Sequence, residues 1–333
     1  MLSLFANTHL STLLAVTIYA LLLKLHLFID IPTPTSHGCG PFGQWTIDGL
    51  REAAKWPGEF IVPVASLLLI FFQALMVNRL VNNFKIVGKQ TYLPAAFYIL
   101  FSSLFTGFGT VSPLLLAMTF VLWAMLRVHG VYGTERCDSN IFDTGLLCAI
   151  ASLFYPPALV LVASMVFALA SLRPINVREL AVFFVGLGLP FYLTAVWFFW
   201  NDGLVEFLNE TLVEIWALPA ILVSASVENA VKIGLASLWM FLAFAAISTH
   251  YMNSAIQVRK YLDIQLAFFF LAGLSVLAVG EFTLSALFIL STPVAVLFSY
   301  QYLHSSKKIV AEMLHLLMIA SIFFFHYFNA EAS

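Results

Sequence analysis

The stretch Phe60–Val77, FIVPVASLLLIFFQALMV, decides the fold: it carries no charge and is long enough to cross a bilayer as one helix. Directly after it come Arg79, Lys85 and Lys89 with no acid among them, the mark of a cytoplasmic loop. Working outward, further strong apolar stretches run Leu10 to Ile29, Val111 to Val128, Leu180 to Trp200, Val231 to Ile247, Ile264 to Val279, Phe282 to Tyr300 and Ile309 to Phe328. Three thinner ones, Leu93 to Phe105, Phe142 to Tyr155 and Pro157 to Leu172, are too short to face lipid along a full crossing. Gly107-Phe108-Gly109 and Pro156-Pro157 break the chain beside them, so they read as short helices inside the bundle.

Composition agrees. The chain has 333 residues, of which 62% are hydrophobic and 10% charged, against roughly a quarter charged in soluble domains. With 15 basic and 17 acidic residues it has no surplus of positive charge, which excludes a nucleic-acid partner held through phosphates. Cys39, Cys137 and Cys148 form neither a CxxC pair nor a disulfide framework. The fold class expected is all-α: a polytopic transmembrane bundle of about 11 spans, forming a single integral membrane domain over 1–333. Residues 1–200 make a core of about seven spans, 201–230 an outer loop, and 231–333 about four further spans. The first span lacks a basic leader and a cleavage site, so it reads as retained.

Sidedness follows from the basic residues. Arg127, Arg136, Arg173 and Arg178 fall on the same side as Arg79. If Leu204–Val227 stays on the outer side, Arg259-Lys260 and Lys307-Lys308 fall inside too, leaving about 11 of the 15 basic residues cytoplasmic. The expected result is an inner-membrane protein with its N-terminus cytoplasmic and its C-terminus periplasmic. Glu206, Glu210 and Glu214 recur every four residues, an acidic stripe on an interfacial helix, followed by a re-entrant piece broken at Pro219. After the first span, Trp45 to Trp56 reads as an amphipathic juxtamembrane helix on the outer leaflet. Asp48, Arg51, Glu52 and Lys55 share its polar face, opposite Ile47, Leu50 and Ala54.

Few residues offer chemistry. There is no phosphate loop of the GxxxxGK[ST] type and no HExxH, so no cofactor is expected. His304, His315 and His326 would stand roughly 16 Å apart along a helix, too far to share an ion, so no metal is expected either. Lys24 lies within the first span; it is either functional or a snorkelling side chain whose ammonium reaches the headgroups. Asp30 ends that span and is a candidate general base, or a marker of the water boundary. Lys24, His26, Arg51 and Lys55 are candidate phosphate contacts, the last two equally suited to lipid headgroups. Glu281 reads as a solvated turn, Asp143 as a charge complementing a helix N-terminus, and Arg178-Glu179 and Lys308/Glu312 as ion pairs at the cytoplasmic rim.

Several stretches carry a resemblance. QALMVNRLVNN (Gln73 to Asn83), TYLPAAFYILFSSLF (Thr91 to Phe105), SPLLLAMTFVLWAMLRV (Ser112 to Val128), IFDTGLLCAIASLFYPP (Ile141 to Pro157) and LRPINVRELAVFFVGLGLPF (Leu172 to Phe191) resemble an uncharacterised family of multi-pass inner-membrane proteins from Bacteroidota. The likeness covers the first 200 residues or so, and the last third matches in hydropathy alone. The layout is also similar to that of C-type membrane glycosyltransferases (GT-C), which take polyprenyl-phosphate sugars at the outer leaflet. That resemblance implies Asp30 at the catalytic-acid position. The second outer loop, GFGTVSP, has no carboxylate where many such enzymes carry one, and no C-terminal soluble domain is expected.

Three functions are therefore expected to compete. The first is GT-C-like handling of a polyprenyl-phosphate-linked sugar in envelope glycan assembly. The second is a non-catalytic subunit of an envelope complex, and the third a lipid or small-solute transporter motivated by helices broken at Pro94, Pro113, Pro156 and Pro293. Membrane lipids are partners under all three.

Overall fold

The computed structural model describes residues 2–7, 10–29, 31, 34, 38–55, 58, 60–104, 110–134, 137–174, 176–205, 207–208, 220–221, 227–248, 251, 254–277, 281–282, 284–304 and 308–324. It is a helical bundle. A short α1 (Leu2–Phe5) precedes α2 (Leu10–Leu23), α3 (His26–Ile29), α4 (Pro41–Ala53), α5 (Ile61–Asn83), α6 (Leu93–Ser102), α7 (Pro113–His129) and α8 (Asp138–Phe154). A 3-10 turn, Pro156–Leu161, runs into α9 (Val162–Leu172) and then α10 (Val177–Trp200). The last third holds α11 (Val227–Ser248), α12 (Ile256–Leu277), a second 3-10 segment (Leu284–Leu290), α13 (Ser291–His304) and α14 (Lys308–Phe323).

Every apolar stretch read from the sequence contains a helix, and the chain is a membrane protein. Among the described residues four segments are long and apolar enough to cross by themselves: Ile61–Asn83, Val177–Trp200, Ile256–Leu277 and Leu284–His304. Others, such as Leu93–Ser102 and Pro113–His129, are shorter apolar helices. The shortest of these lies at the centre. Every residue of α6 is buried, as is α13 from Ser291 to Tyr300, and the two pack on each other. A helix enclosed by protein need not match the bilayer, which is why ten residues suffice there.

Lipid tails are as apolar as leucine, so burial alone does not hold such helices together; close backbone approach does. The α8–α10 pair shows it. A Cβ on Gly145 would stand 2.2 Å from the Phe183 carbonyl oxygen, and one on Gly186 would stand 2.3 Å from that of Phe142. The two backbones touch through the two missing side chains. Away from this stripe α10 is bare, with Phe184, Val185, Tyr192, Leu193, Trp197 and Trp200 exposed.

Buried polar groups supply the second kind of tie. Gln73 Nε2 donates to the Leu115 carbonyl (2.6 Å) and to Thr119 Oγ1 (2.9 Å), while Tyr98 Oη donates to Gln73 Oε1 (2.8 Å). These bonds pin α5, α6 and α7 in register.

One end of the bundle gathers the basic residues. Asn82 clasps Thr91 through both its amide atoms, Thr91 Oγ1 and the Tyr92 N–H donate to the Phe5 carbonyl, and so α1 is set beside the turn carrying Lys85 and Lys89. Phe84, His129 and Tyr261 stack in one aromatic cluster at that end. Lys260 reaches the Leu172 carbonyl and lies over the Tyr132 ring. Arg178 pairs with Asp138 (2.7 Å) and Glu179 with Arg173 (3.1 Å). The sequence reading had joined Arg178 to Glu179, but helix neighbours point apart: Arg178 finds its partner at the start of α8 and Glu179 finds Arg173 at the end of α9. Asp143 likewise takes Arg127 (3.5 Å) instead of a helix terminus, because α8 begins a turn earlier, at Asp138. Arg173 Nη1 also donates to Cys137 Sγ (2.6 Å). Burial pushes the Cys137 thiol up and the guanidinium opposes it. A thiol both covered and short of thiolate is expected to stay unmodified by maleimide at pH 7 until the protein is unfolded, as intact-mass analysis would show.

At the other end a two-residue parallel pairing, β1 (Ala220–Ile221) with β2 (Glu281–Phe282), joins two connections distant in sequence. Glu281 is therefore a strand residue where a solvated turn was expected. Glu206, Glu210, Glu214 and Pro219 lie outside the described residues.

Candidate functional site

The candidate residues follow the first long helix, so their placement begins with how α2 ends. The helix gives way to a turn at Lys24 and Leu25 and resumes as α3. Lys24 is fully buried, and its Nζ donates to the carbonyl of Ser102 in the last turn of α6. The snorkelling reading is overturned: at 0% exposure the side chain turns inward, to the negative end of a helix. No carboxylate among the described residues pairs with it. The carbonyl is a good partner for one of the three ammonium protons and carries no formal charge of its own to balance the lysine.

His26 is also buried, and its Nδ1 donates to the Leu23 carbonyl (3.2 Å), tying α3 to the end of α2. Asp30, the candidate base, lies outside the described residues.

The juxtamembrane helix expected at Trp45 to Trp56 is α4, shifted toward the N-terminus. Pro41 opens it, a residue suited to the first helical position, and the Gly40 N–H before it is held by the Phe154 carbonyl at the end of α8. Its apolar side is anchored where Ile47 is buried with Val62 and Val111, at the starts of α5 and α7. Trp45 stacks on Phe42 and on Phe198 of α10. The polar side is ordered as the spacing predicts. Arg51 meets Asp48 (3.4 Å) and donates to the Pro34 carbonyl (3.2 Å), and Lys55 meets Glu52 (2.6 Å). Both pairs are well exposed, so they orient the cations more than they stabilise the fold.

Two open apolar grooves lie near α4, one at the start of α5 and one against α4 itself. One, of about 380 Å³, is lined by Gly58, Phe60, Ile61, Val64, Ala65 and Leu68, immediately beyond Lys55. The other, of about 350 Å³, lies between α4 and α10 and is lined by Phe42, Trp45, Leu193, Thr194 and Trp197. The structure thus divides the predicted cations into two groups. Lys24 and His26 are interior, bonded to α6 and α2, while Arg51 is displayed on α4 and Lys55 just beyond its end, beside apolar grooves. Among the described residues no group of three His, Cys, Asp or Glu side chains is gathered to hold a metal.

Sequence reasoning passed over the interior polar residues. Gln73 sits inside the very stretch that decided the fold, and an amide at that depth requires a partner, which was signal enough to single it out. Tyr19 and His315, whose Oη and Nε2 are 3.0 Å apart, join helices from opposite ends of the chain, and no local pattern announces such a pair.

Comparison with known proteins gives one match. The model of a family described as "Family of unknown function (DUF6427)" matches residues 59–333. The matched region includes the last third, where the sequence reading had found likeness in hydropathy alone, and it starts after α4. No curated protein and no solved structure matches the chain.

Proposed function

Since the chain belongs to the family of unknown function DUF6427, we propose for it the role of a multi-pass inner-membrane protein of cell-envelope biogenesis that takes a phosphate-headed lipid at the outer leaflet. The substrate class is a polyprenyl-phosphate-linked sugar, and the layout is GT-C-like, with about eleven crossings, the N-terminus cytoplasmic and the C-terminus periplasmic. The observation carrying this reading is Lys24, a fully buried cation that no acid among the described residues neutralises. Such a residue in a membrane interior is costly, and an anionic ligand group is the partner that would offset it. The grooves near α4 suit the apolar chain of such a ligand, and Arg51 and Lys55 suit its headgroup as it approaches from the surface, separately from Lys24 in the interior.

In this scheme Asp30 accepts the proton of an acceptor hydroxyl as its oxygen bonds to the anomeric carbon. The bond from that carbon to the phosphate oxygen breaks, and polyprenyl phosphate leaves with its charge held by the cations. Asp30→Asn is expected to abolish sugar transfer to envelope glycan, with an unchanged melting temperature in detergent. Normal glycan in that variant refutes catalysis. A partner co-purifying in fixed ratio alongside normal glycan would favour the second reading, a non-catalytic complex subunit, for which the bare aromatic side of α10 offers the surface.

Sidedness has its own test. Cys39 is half-buried just ahead of α4, whereas Cys137 and Cys148 are buried. A membrane-impermeant maleimide is expected to label intact cells at Cys39 alone, and Cys39→Ser should remove the signal. Labelling that appears only after lysis would reverse the orientation.

A further inference from the structure

The richest unassigned cavity lies among α6, α11, α13 and α14, away from the candidate site. Phe97, Trp239, Phe298, Tyr302 and His315 line it, and its free volume of about 20 Å³ is that of one small group. Two of its lining residues have a buried ring nitrogen with no partner among the described residues: Trp239 Nε1, on a side chain 1% exposed, and His315 Nδ1, on one 3% exposed. The other imidazole nitrogen, Nε2, is already engaged by the Tyr19 hydroxyl at 3.0 Å. Phe298 stacks on Phe97 (5.6 Å between centroids) and meets Trp239 edge-on (6.0 Å), so the walls are fixed by their own packing.

Chemistry selects the occupant. An indole N–H can only donate, so the guest must accept. The imidazole offers either a donor or an acceptor at Nδ1, according to which way the hydrogen to Tyr19 runs. A neutral group that both accepts and donates satisfies the pair in either tautomer. A cation would leave the indole N–H unmet, and an anion would bring in a charge that no Lys or Arg among the lining residues, which include the Gln301 amide, could pair.

We infer that this cavity is a binding site for a single hydroxyl oxygen, bridging Trp239 Nε1 and His315 Nδ1. It extends the Tyr19–His315 bond into a chain that runs from α2 through α14 to α11. The oxygen comes from water or from a lipid alcohol, and the room available admits no larger polar group. α2 lies before the family-matched region and α11 and α14 lie within it, so the guest helps fasten the N-terminal helix to the rest.

The test is made on the full chain in nanodiscs with nitrogen-15-labelled indole. Trp239→Phe identifies the Trp239 resonance by its disappearance. In the wild-type protein the Trp239 N–H is expected to show cross-relaxation to water, or, if the oxygen belongs to lipid, to a lipid hydroxyl proton that vanishes in hydroxyl-deuterated lipid. A second measurement needs no variant: a map of the wild-type protein at a resolution that shows waters should hold density about 3 Å from both nitrogens. Either positive result supports the site and names its source. An N–H without either cross-peak, together with an empty cavity in the map, overturns it.

Discussion

Gly186→Ala is expected to destabilise the protein by about 1–3 kcal/mol, the usual cost of forcing extra volume into a closed contact. The added methyl would stand 2.3 Å from the Phe142 carbonyl oxygen, and backbone cannot rotate away as a side chain can. Gly145→Ala meets the Phe183 carbonyl at 2.2 Å and should cost as much. The double variant should lose less than the sum, because one separation of α8 from α10 relieves both collisions. Gly188 provides the control on the same helix: its Cβ would meet nothing within 4 Å, so Gly188→Ala should be neutral or gain up to about 1 kcal/mol from reduced backbone freedom. Melting curves of the four proteins in one detergent decide the matter. Equal behaviour of Gly186→Ala and Gly188→Ala would mean that the two helices are not in backbone contact.

The second large effect runs in the opposite direction. Lys24→Met should stabilise the fold while weakening the binding of polyprenyl phosphate at least tenfold. A lysine at the centre of a membrane helix costs about 2.5–3.5 kcal/mol on insertion scales, an upper bound for Lys24, which stands in the turn after α2 and has a carbonyl but no carboxylate partner among the described residues. Methionine fills a similar volume without that cost. Against this stands the loss of one donor to Ser102, worth about 1–2 kcal/mol. The net gain expected is therefore at most about 0.5–2.5 kcal/mol, read from denaturation in detergent, with binding read on vesicles carrying the proposed ligand, polyprenyl phosphate. A variant that melts earlier and binds normally would recast Lys24 as a strut between α2 and α6.

The helices were legible because their signal is composition over a window, which tertiary context does not alter. Leu93–Ser102 could be placed inside the bundle on length alone, and its burial follows. Edges were less legible for identifiable reasons. Asp138, Ser139 and Asn140 are polar, so hydropathy starts the helix at Phe142, whereas Arg178 across the bundle holds Asp138. The charged face of α4 was readable because it is local, and both of its ion pairs join residues three apart. Lys24 was not readable in the same way. α2 is apolar on every side, so nothing in its pattern distinguishes the face that meets lipid from the face that meets α6. The Gly145–Gly186 contact and the cavity at Trp239 exist only once distant helices have met, and each residue alone looks like ordinary membrane sequence.

The stripe of backbone contact between α10 and α8 has a mechanical corollary. Its 24 residues rise about 36 Å, more than the roughly 30 Å of hydrocarbon in a typical bilayer. Pro190 lies one turn beyond Gly186, where a proline withholds its amide and invites a bend. The part of the helix around Gly186 is clamped to α8, while the part beyond Pro190 is largely bare apart from the stack of Phe198 on Trp45, so excess length is taken up as tilt about a pivot near the two glycines. Thicker and thinner membranes would thus set Trp197, which lines the groove beside α4, at different angles, making the shape of that groove a function of bilayer thickness.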